Sequence, residues 1–257
     1  MHISELLQRS GTTASEQAVV RLCHDILSGT LTPDTKLKIR DLTELYGIGA
    51  SPMREALAQL TATGMVNQEG QRGFRVSPVS MDELQDITLT RQLIEAHALR
   101  LAIEHGDMAW EDEIVASYHL FVREIIRFYD SDDKRLDVYE ERHHRFHQAL
   151  ISACPLNMLK GFCDDLYVQK TRYRRITRSY PFDKSVVIAE HRTLMEAVLR
   201  RDTDKAVSAI QNHIGLTAEL ILGFMRSGKR PSRVVRRPQR ARRRLPTQQS
   251  RHKGREK

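Results

Sequence analysis

Between residues 81 and 225, apolar residues recur at helical spacing in one long segment after another, with almost no strand-like alternation. That patterning confines more than half of the chain to packed helices. The segments cover 81–104, 109–129, 135–153, 156–178, 184–201 and 203–225, with Asp107, Ser131, Pro155, Pro181 and Asp202 near the breaks. Leu84, Ile87, Leu93, Ile94 and Leu101 are among the apolar positions of the first. Helices with one apolar side bury it against one another, which predicts an antiparallel bundle. No repeat of fixed period runs through the sequence.

Upstream of Pro78 the texture differs. Val19, Leu22, Cys23, Ile26 and Leu27 form one stripe of a helix over 15–27, which Ser28-Gly29 ends before a turn at Thr32-Pro33-Asp34. A short helix follows over 39–46, stopped by Gly47, with Leu42 and Leu45 inward. A third covers 49–63, burying Met53, Leu57 and Leu60, with Pro52 in its first turn, where a missing N–H does no harm. Two short strands, 65–69 and 74–77, flank Gly70-Gln71-Arg72-Gly73. Three helices and a hairpin make a winged helix-turn-helix, whose third helix enters the DNA major groove while the hairpin reaches a neighbouring groove or phosphates.

The residue types suit that task. Gly49, Ala50, Ser51 and Pro52 are small enough for the start of the third helix to approach base edges, and Arg54 follows. Arg40 opens the preceding helix, and Gln71, Arg72 and Gly73 form the wing tip. Each arginine suits a guanine or a phosphate. A local ion pair, such as Arg54 with Glu55, is the alternative.

Charge is divided unevenly along the chain. Of its 41 Lys and Arg, 14 fall in residues 226–257 beside one acid, Glu256, so this tail carries +13 and the rest −5 within a total of +8. Rich in Pro, Arg and Gln, the tail is expected to be disordered and able to hold a polyanion non-specifically. Three cysteines, Cys23, Cys154 and Cys163, show no CxxC spacing, which suits a reducing compartment, most simply the cytoplasm. The first residues lack a signal-peptide core, and no stretch approaches the roughly 18 apolar residues of a membrane span.

Eleven histidines are present. His143 and His147, four apart, project from one helix face and can chelate one ion; His191 and His213 lie on later helices that a bundle can bring close. A solvated face is the competing reading of the pair, and the better one for His144. Gathered neutral imidazoles favour Zn, Ni or Co over Ca or Mg. Arg91 and Glu95, also four apart, form either a helix ion pair or a cavity-facing carboxylate grip through the Arg91 fork. Arg172, Arg174, Arg175 and Arg178 interleave with Tyr167, Tyr173 and Tyr180, a pattern that reads first as a solvated face. Cys154 and Cys163 read as packed thiols.

The run Ile26-Leu27-Ser28-Gly29 through Pro33 and Leu37 to Arg40-Asp41-Leu42 resembles the GntR family of bacterial transcription factors. So do Tyr46-Gly47-Ile48-Gly49-Ala50-Ser51-Pro52-Met53-Arg54-Glu55-Ala56-Leu57 and the wing segments Gly64-Met65-Val66 and Arg72-Gly73-Phe74-Arg75-Val76. Ala50 stands where the family often has Arg, so base readout is expected from Ser51, Arg54, backbone groups and the wing. The helical region resembles the ligand-sensing FCD domain of the FadR branch. Arg91-Gln92-Leu93-Ile94-Glu95-Ala96, the run from Arg145 to Cys154, Glu190-His191, Ala197, Asp202, Ala206 and His213-Ile214 carry that likeness. It implies a metal site at the floor of an effector pocket, with His147, His191 and His213 on the three His positions and His143 in place of the usual Asp.

The fold expected is therefore mainly α: a leader (1–14), a winged helix-turn-helix (15–77), an FCD-like helical bundle for effector binding and dimerisation (81–225) and a basic tail (226–257). The function expected is a ligand-responsive regulator, a repressor, holding a pseudo-palindromic double-stranded operator as a homodimer on the bacterial nucleoid, with no role at a membrane. A divalent transition metal (Zn or Ni) on His143, His147, His191 and His213, with Arg91, would receive a small organic acid. A metal-dependent hydrolase is the rival from another class, with Glu140 and Glu190 as the carboxylates near the histidines and no nucleophile motif. An architectural nucleic-acid binder acting through the tail is the other.

Overall fold

The computed structural model describes residues 13–70, 73–129, 136–176 and 183–227. The leader up to residue 12, the wing-tip residues Gln71 and Arg72, and the tail from 228 onward lie outside the described residues.

Helix α1 (Ala14–Leu27) begins at a reciprocal cap: Glu16 N–H donates to the Thr13 hydroxyl while Thr13 N–H donates to the Glu16 carboxylate, satisfying two otherwise orphaned donors. A two-residue strand β1 (Lys36–Leu37) leads into α2 (Ile39–Tyr46), closed by Gly47 in the left-handed region at φ 67°. Helix α3 (Ala50–Ala62) follows, then strands β2 (Val66–Gln68) and β3 (Phe74–Val76). The sheet order is β1-β3-β2, antiparallel throughout, pairing Leu37 with Phe74 and Val66 with Val76. β1 was not expected from the sequence, because two residues carry no period; tertiary pairing with β3 makes it a strand. Leu22, Met53, Leu57, Leu60, Met65 and Val66 are fully buried and form the centre of this unit's core.

The rest is helical: α4 (Met81–His105), α5 (Met108–Tyr129), α6 (Leu136–Ile151), α7 (Asn157–Ile176), α8 (Lys184–Leu199) and α9 (Thr203–Arg226). Ser80 and Asp202 cap α4 and α9 by accepting from Glu83 N–H and Lys205 N–H. Gly106 caps the end of α4 in an extended conformation, and the Trp110 ring occupies the space a Cβ there would need. Trp110 Nε1–H donates to Ala149 O at 2.9 Å, joining α5 to α6. Phe121, Ile114, Phe146, Leu150, Leu194 and Val198 fill the bundle core. The apolar pattern of α4 misleads at one position: Leu84 and Ile87 are buried, but Leu93 is 70% exposed. No described helix is long and apolar enough to cross a membrane.

Helix α7 belongs to both units. Val168 packs into the N-terminal core. Arg172, 5% exposed, donates from one terminal nitrogen to Ser77 O at 2.8 Å and Pro78 O at 2.9 Å, the carbonyls joining the units. Tyr173 OH bonds Glu83 and lies 3.4 Å from Ser80 N, at the start of α4.

Candidate DNA-reading surface and histidine centre

The start of α3 is open. Gly49, its N-cap, makes no side-chain cap bond, and the first turn carries no acid, so its N–H groups are free to meet phosphate. Gly49, Ala50, Ser51 and Arg54 are exposed while Met53, Ala56, Leu57 and Leu60 anchor the opposite side. Arg54 makes no ion pair among the described residues, and Glu55 instead receives Gln59 Nε2 at 3.4 Å. The Arg40 side chain, 88% exposed, pairs among the described residues with its neighbour Asp41 alone, at 3.3 Å, a contact too solvated to hold it. Gly73, at φ 102°, brings the wing back into β3, where Arg75 braces it by donating to Glu69 at 2.7 Å and to Asp34 O. That brace is a role the sequence did not reveal.

In the bundle, His143 and His147 of α6, His191 of α8 and His213 of α9 are all buried, each with a ligand atom within 4.8 Å of every other. Helical spacing sets the first pair, and tertiary packing brings the other two. Burial first, and the charges of their neighbours second, hold all four imidazoles well below the ordinary 6.5. They are neutral, as metal ligands must be.

Outer contacts orient the rings. His191 Nδ1–H donates to Val187 O at 2.7 Å and His213 Nδ1–H to Glu190 Oε2 at 3.1 Å, leaving both Nε2 atoms with lone pairs. His147 Nδ1 is buried without a hydrogen-bond partner among the described residues. His143 differs. Its Nδ1 lies 2.5 Å from Tyr167 OH and 3.0 Å from an Arg174 terminal nitrogen, and a guanidinium only donates. His143 Nδ1 therefore accepts, and its Nε2–H points at His191 Nε2, 2.8 Å away. Coordination through all four Nε2 atoms requires that proton to pass to Nδ1, facing the Tyr167 oxygen, and Arg174 to give way. The four-nitrogen donor set and the two fixed lone pairs fit a borderline divalent ion.

Of the two sequence readings of Arg91, the helix ion pair with Glu95 is present, in a buried setting. Arg91 is 1% exposed, its Nε donates to Glu95 Oε1 at 2.6 Å, and its guanidinium lies 5.3 Å from the Tyr167 ring centre. Its charge reaches His143, His147 and His213. The solvated-face reading of α7 is overturned for Tyr167, Arg172, Tyr173 and Arg174, which are buried or nearly so. Arg174 pairs with Glu140, and the carbonyls and carboxylates that satisfy this helix come from distant segments. The side chains of Arg175, Arg178 and Tyr180 lie outside the described residues. His144 is not a plain surface residue either: it stacks on Tyr167 with centroids 4.1 Å apart and faces Asp164 at 3.1 Å. Cys154 and Cys163 are buried free thiols.

Lys170 was missed by the sequence reading. It is 4% exposed, and burial first and Arg91 second push its ammonium down to about 7, with Glu95 opposing. Its position three residues after Tyr167 and four before Arg174 was the available signal.

A winged helix joined to a helical domain with a buried ligand-grade centre defines a transcription regulator with its own sensor. Residues 14–76 match the gntR family of bacterial regulatory proteins, and residues 86–216 match the FCD domain. The HTH-type transcriptional regulator BphR of Paraburkholderia xenovorans LB400 is 34% identical over 81% of this chain and 85% of its own. The HTH-type transcriptional repressor GlaR of Escherichia coli K12 is 35% identical over 75% of this chain and 89% of its own. Among solved structures, E. coli McbR/YncC matches with a TM-score of 0.69 at 17% identity, covering 83% of this chain and 99% of that one. The chain belongs to the GntR family and is an HTH-type transcriptional regulator with an FCD ligand-binding domain, not an enzyme.

Proposed function

We propose that the protein is a repressor that holds a pseudo-palindromic operator as a homodimer and lets go when a small organic acid enters the histidine centre. The units act over 15–77 and 81–225, with the regulator working on the nucleoid in the cytoplasm. The carrying observation is that one helix, α7, contacts the histidine centre through Tyr167 and Arg174 and the DNA-reading unit through Val168 and Arg172. A ligand preferring one placement of α7 thereby biases the placement of α3, and only to the extent of that preference.

Gly49, Ala50, Ser51, Pro52 and Arg54 meet base edges; Arg40 and the wing residues Gln71, Arg72 and Gly73 meet the backbone or an adjacent groove. His143, His147, His191 and His213 would hold Zn or Ni, which when bound supplies open positions for a carboxylate. Arg91 orients that carboxylate through its free terminal nitrogens, and Glu95 keeps the guanidinium in place. With no anionic ligand in the set, the centre attracts an acid more strongly than one containing Asp. Leu89 and Leu93 on α4 and Leu216 and Leu220 on α9 are exposed on two helices packed together, which favours a face shared between copies.

The test is binding to duplexes from the gene's own neighbourhood, with and without residues 226–257. A repressor prefers one duplex after truncation; indifference to sequence refutes the proposal, and loss of nearly all affinity with the tail favours the architectural reading.

A further inference from the structure

Nine Lys and Arg fall within residues 229–244, and no acid interrupts the sequence between Arg226 and Glu256. Those residues lie outside the described ones, but the point from which they issue is described. Helix α9 ends at Arg226, with Ser227 as its C-cap. One residue earlier, Met225 packs against the cluster of Ile221 and Leu222 with Leu84, Ile87 and Tyr173, and Val79 packs against the same cluster. Val79 lies three residues past strand β3. Between them, Ser77 N–H donates to Met65 O at 3.1 Å and the Ser77 hydroxyl donates to Asn67 of β2 at 2.9 Å. The end of α9 therefore sits at the base of the wing. From Val79 back to Gly73 at the wing tip is at most about 20 Å of chain, and the stretch from Ser227 to Arg233 is equally long.

Positive charge of this density binds the densest anion within its span. Residues 1–225 carry −5 over their whole surface. Duplex DNA presents one phosphate charge per about 1.7 Å of its axis and releases counterions when these are neutralised, so the duplex wins over the protein's own body. Single-stranded RNA and anionic lipid offer charge too, but a duplex held by α3 is what brings phosphates to the wing. Resting on the reading that the wing meets a duplex, we infer that residues 229–244 lie along the phosphates beside those the wing contacts, flanking the stretch that α3 reads. Their guanidinium and ammonium groups meet backbone oxygens and carry no base preference. Helix α3 chooses the site, and this segment strengthens the hold on it.

The test compares the full-length chain with a full-length variant carrying Arg236→Gln, Arg237→Gln, Arg240→Gln, Arg242→Gln, Arg243→Gln and Arg244→Gln. Fluorescence anisotropy follows binding between about 50 and 200 mM salt to a mixed-sequence duplex of about 40 bp. It also follows the tightest duplex from the gene's own neighbourhood, trimmed to the core that the protein shields from nuclease or extended by about 15 bp on each side. Each phosphate met contributes about 0.9 to the slope of log affinity against log salt, so six lost contacts flatten it by up to about five. Wild type should lose roughly tenfold to a thousandfold more affinity than the variant over that range, and should gain about tenfold from the flanks where the variant gains nothing. Preference among neighbourhood duplexes should be equal in the two proteins. Lys at the same six positions should restore the wild-type slope, because the contact is one of charge. Failure to restore it overturns the inference, as do equal slopes in wild type and the Gln variant. A Gln variant that binds DNA more tightly than wild type assigns the arginines to the protein's own acidic surface. Wild type preferring single-stranded RNA or phosphatidylserine vesicles over the duplex at equal salt assigns them to those partners, and either result overturns the inference. Indifference of both proteins to duplex sequence removes the operator reading alone, since the slope on the mixed-sequence duplex still decides this one.

Discussion

Replacing Arg172 with Met keeps the apolar stem of the side chain and removes only its charged fork, so it isolates the bond between α7 and the segment joining the two units. In the wild type one terminal nitrogen of Arg172 donates to Ser77 O at 2.8 Å and to Pro78 O at 2.9 Å. Hydrogen bonds to a charged group contribute roughly 1.5–3 kcal/mol each, and the two carbonyls lose their donor when it goes. The other terminal nitrogen is buried with no hydrogen bond among the described residues and sits 4.0 Å from a half-exposed Glu83, so removing it recovers desolvation cost and offsets part of the loss. A net loss of about 2–3 kcal/mol remains, which for a chain of this size lowers the melting temperature by roughly 4–12 °C. Differential scanning calorimetry measures it. The same variant should narrow the ratio of operator affinities without and with effector, because ligand-driven displacement of α7 no longer pulls on Ser77 and Pro78. An Arg172→Met protein that melts as wild type and keeps the full ratio would refute the reasoning that this contact joins sensor to reader.

Three further outcomes are expected. Arg54→Ala should weaken operator binding by roughly tenfold to a hundredfold with an unchanged circular dichroism spectrum and melting curve, as loss of one bidentate base contact does; undiminished affinity in a gel-shift titration contradicts its assignment. His147→Ala should lower bound metal, read by elemental analysis after dialysis, and blunt any effector response; wild-type metal content would exclude it as a ligand. In chelator-treated protein, stability should fall as pH drops through about 6.5. The folded imidazoles stay neutral while the unfolded chain takes up protons, so each histidine removes up to about 1.4 kcal/mol per pH unit on the acid side and none well above 6.5. Urea denaturation at pH 7.5, 6 and 5 checks the sign, and a flat profile contradicts it.

Much of this architecture was legible in the chain because its signals are local. Gly47 closes α2 in the left-handed region, Ser80 and Asp202 start long helices, and the period of the apolar residues places each helix within a few residues of where it is found. The His143 and His147 pair is local too, since one helical turn separates them. What escaped involved contacts over long sequence separations. β1 exists only through pairing with β3, Leu93 is solvent-facing although its pattern matches buried neighbours, and the arginines of α7 look like a surface until Ser77, Pro78, Glu83 and Glu140 arrive from elsewhere.

By itself, then, the sequence determined the helix and hairpin order, the polar opening of α3, and the residue types able to hold a metal or an anion, because capping, periodicity and side-chain chemistry act over a few residues. Tertiary structure alone decided that His191 and His213 join His143 and His147, that Arg174 fixes which nitrogen of His143 bears the proton, and that Lys170 lies buried. Those are properties of groups tens of residues apart, and their distances and dielectric surroundings come into being only when the helices pack.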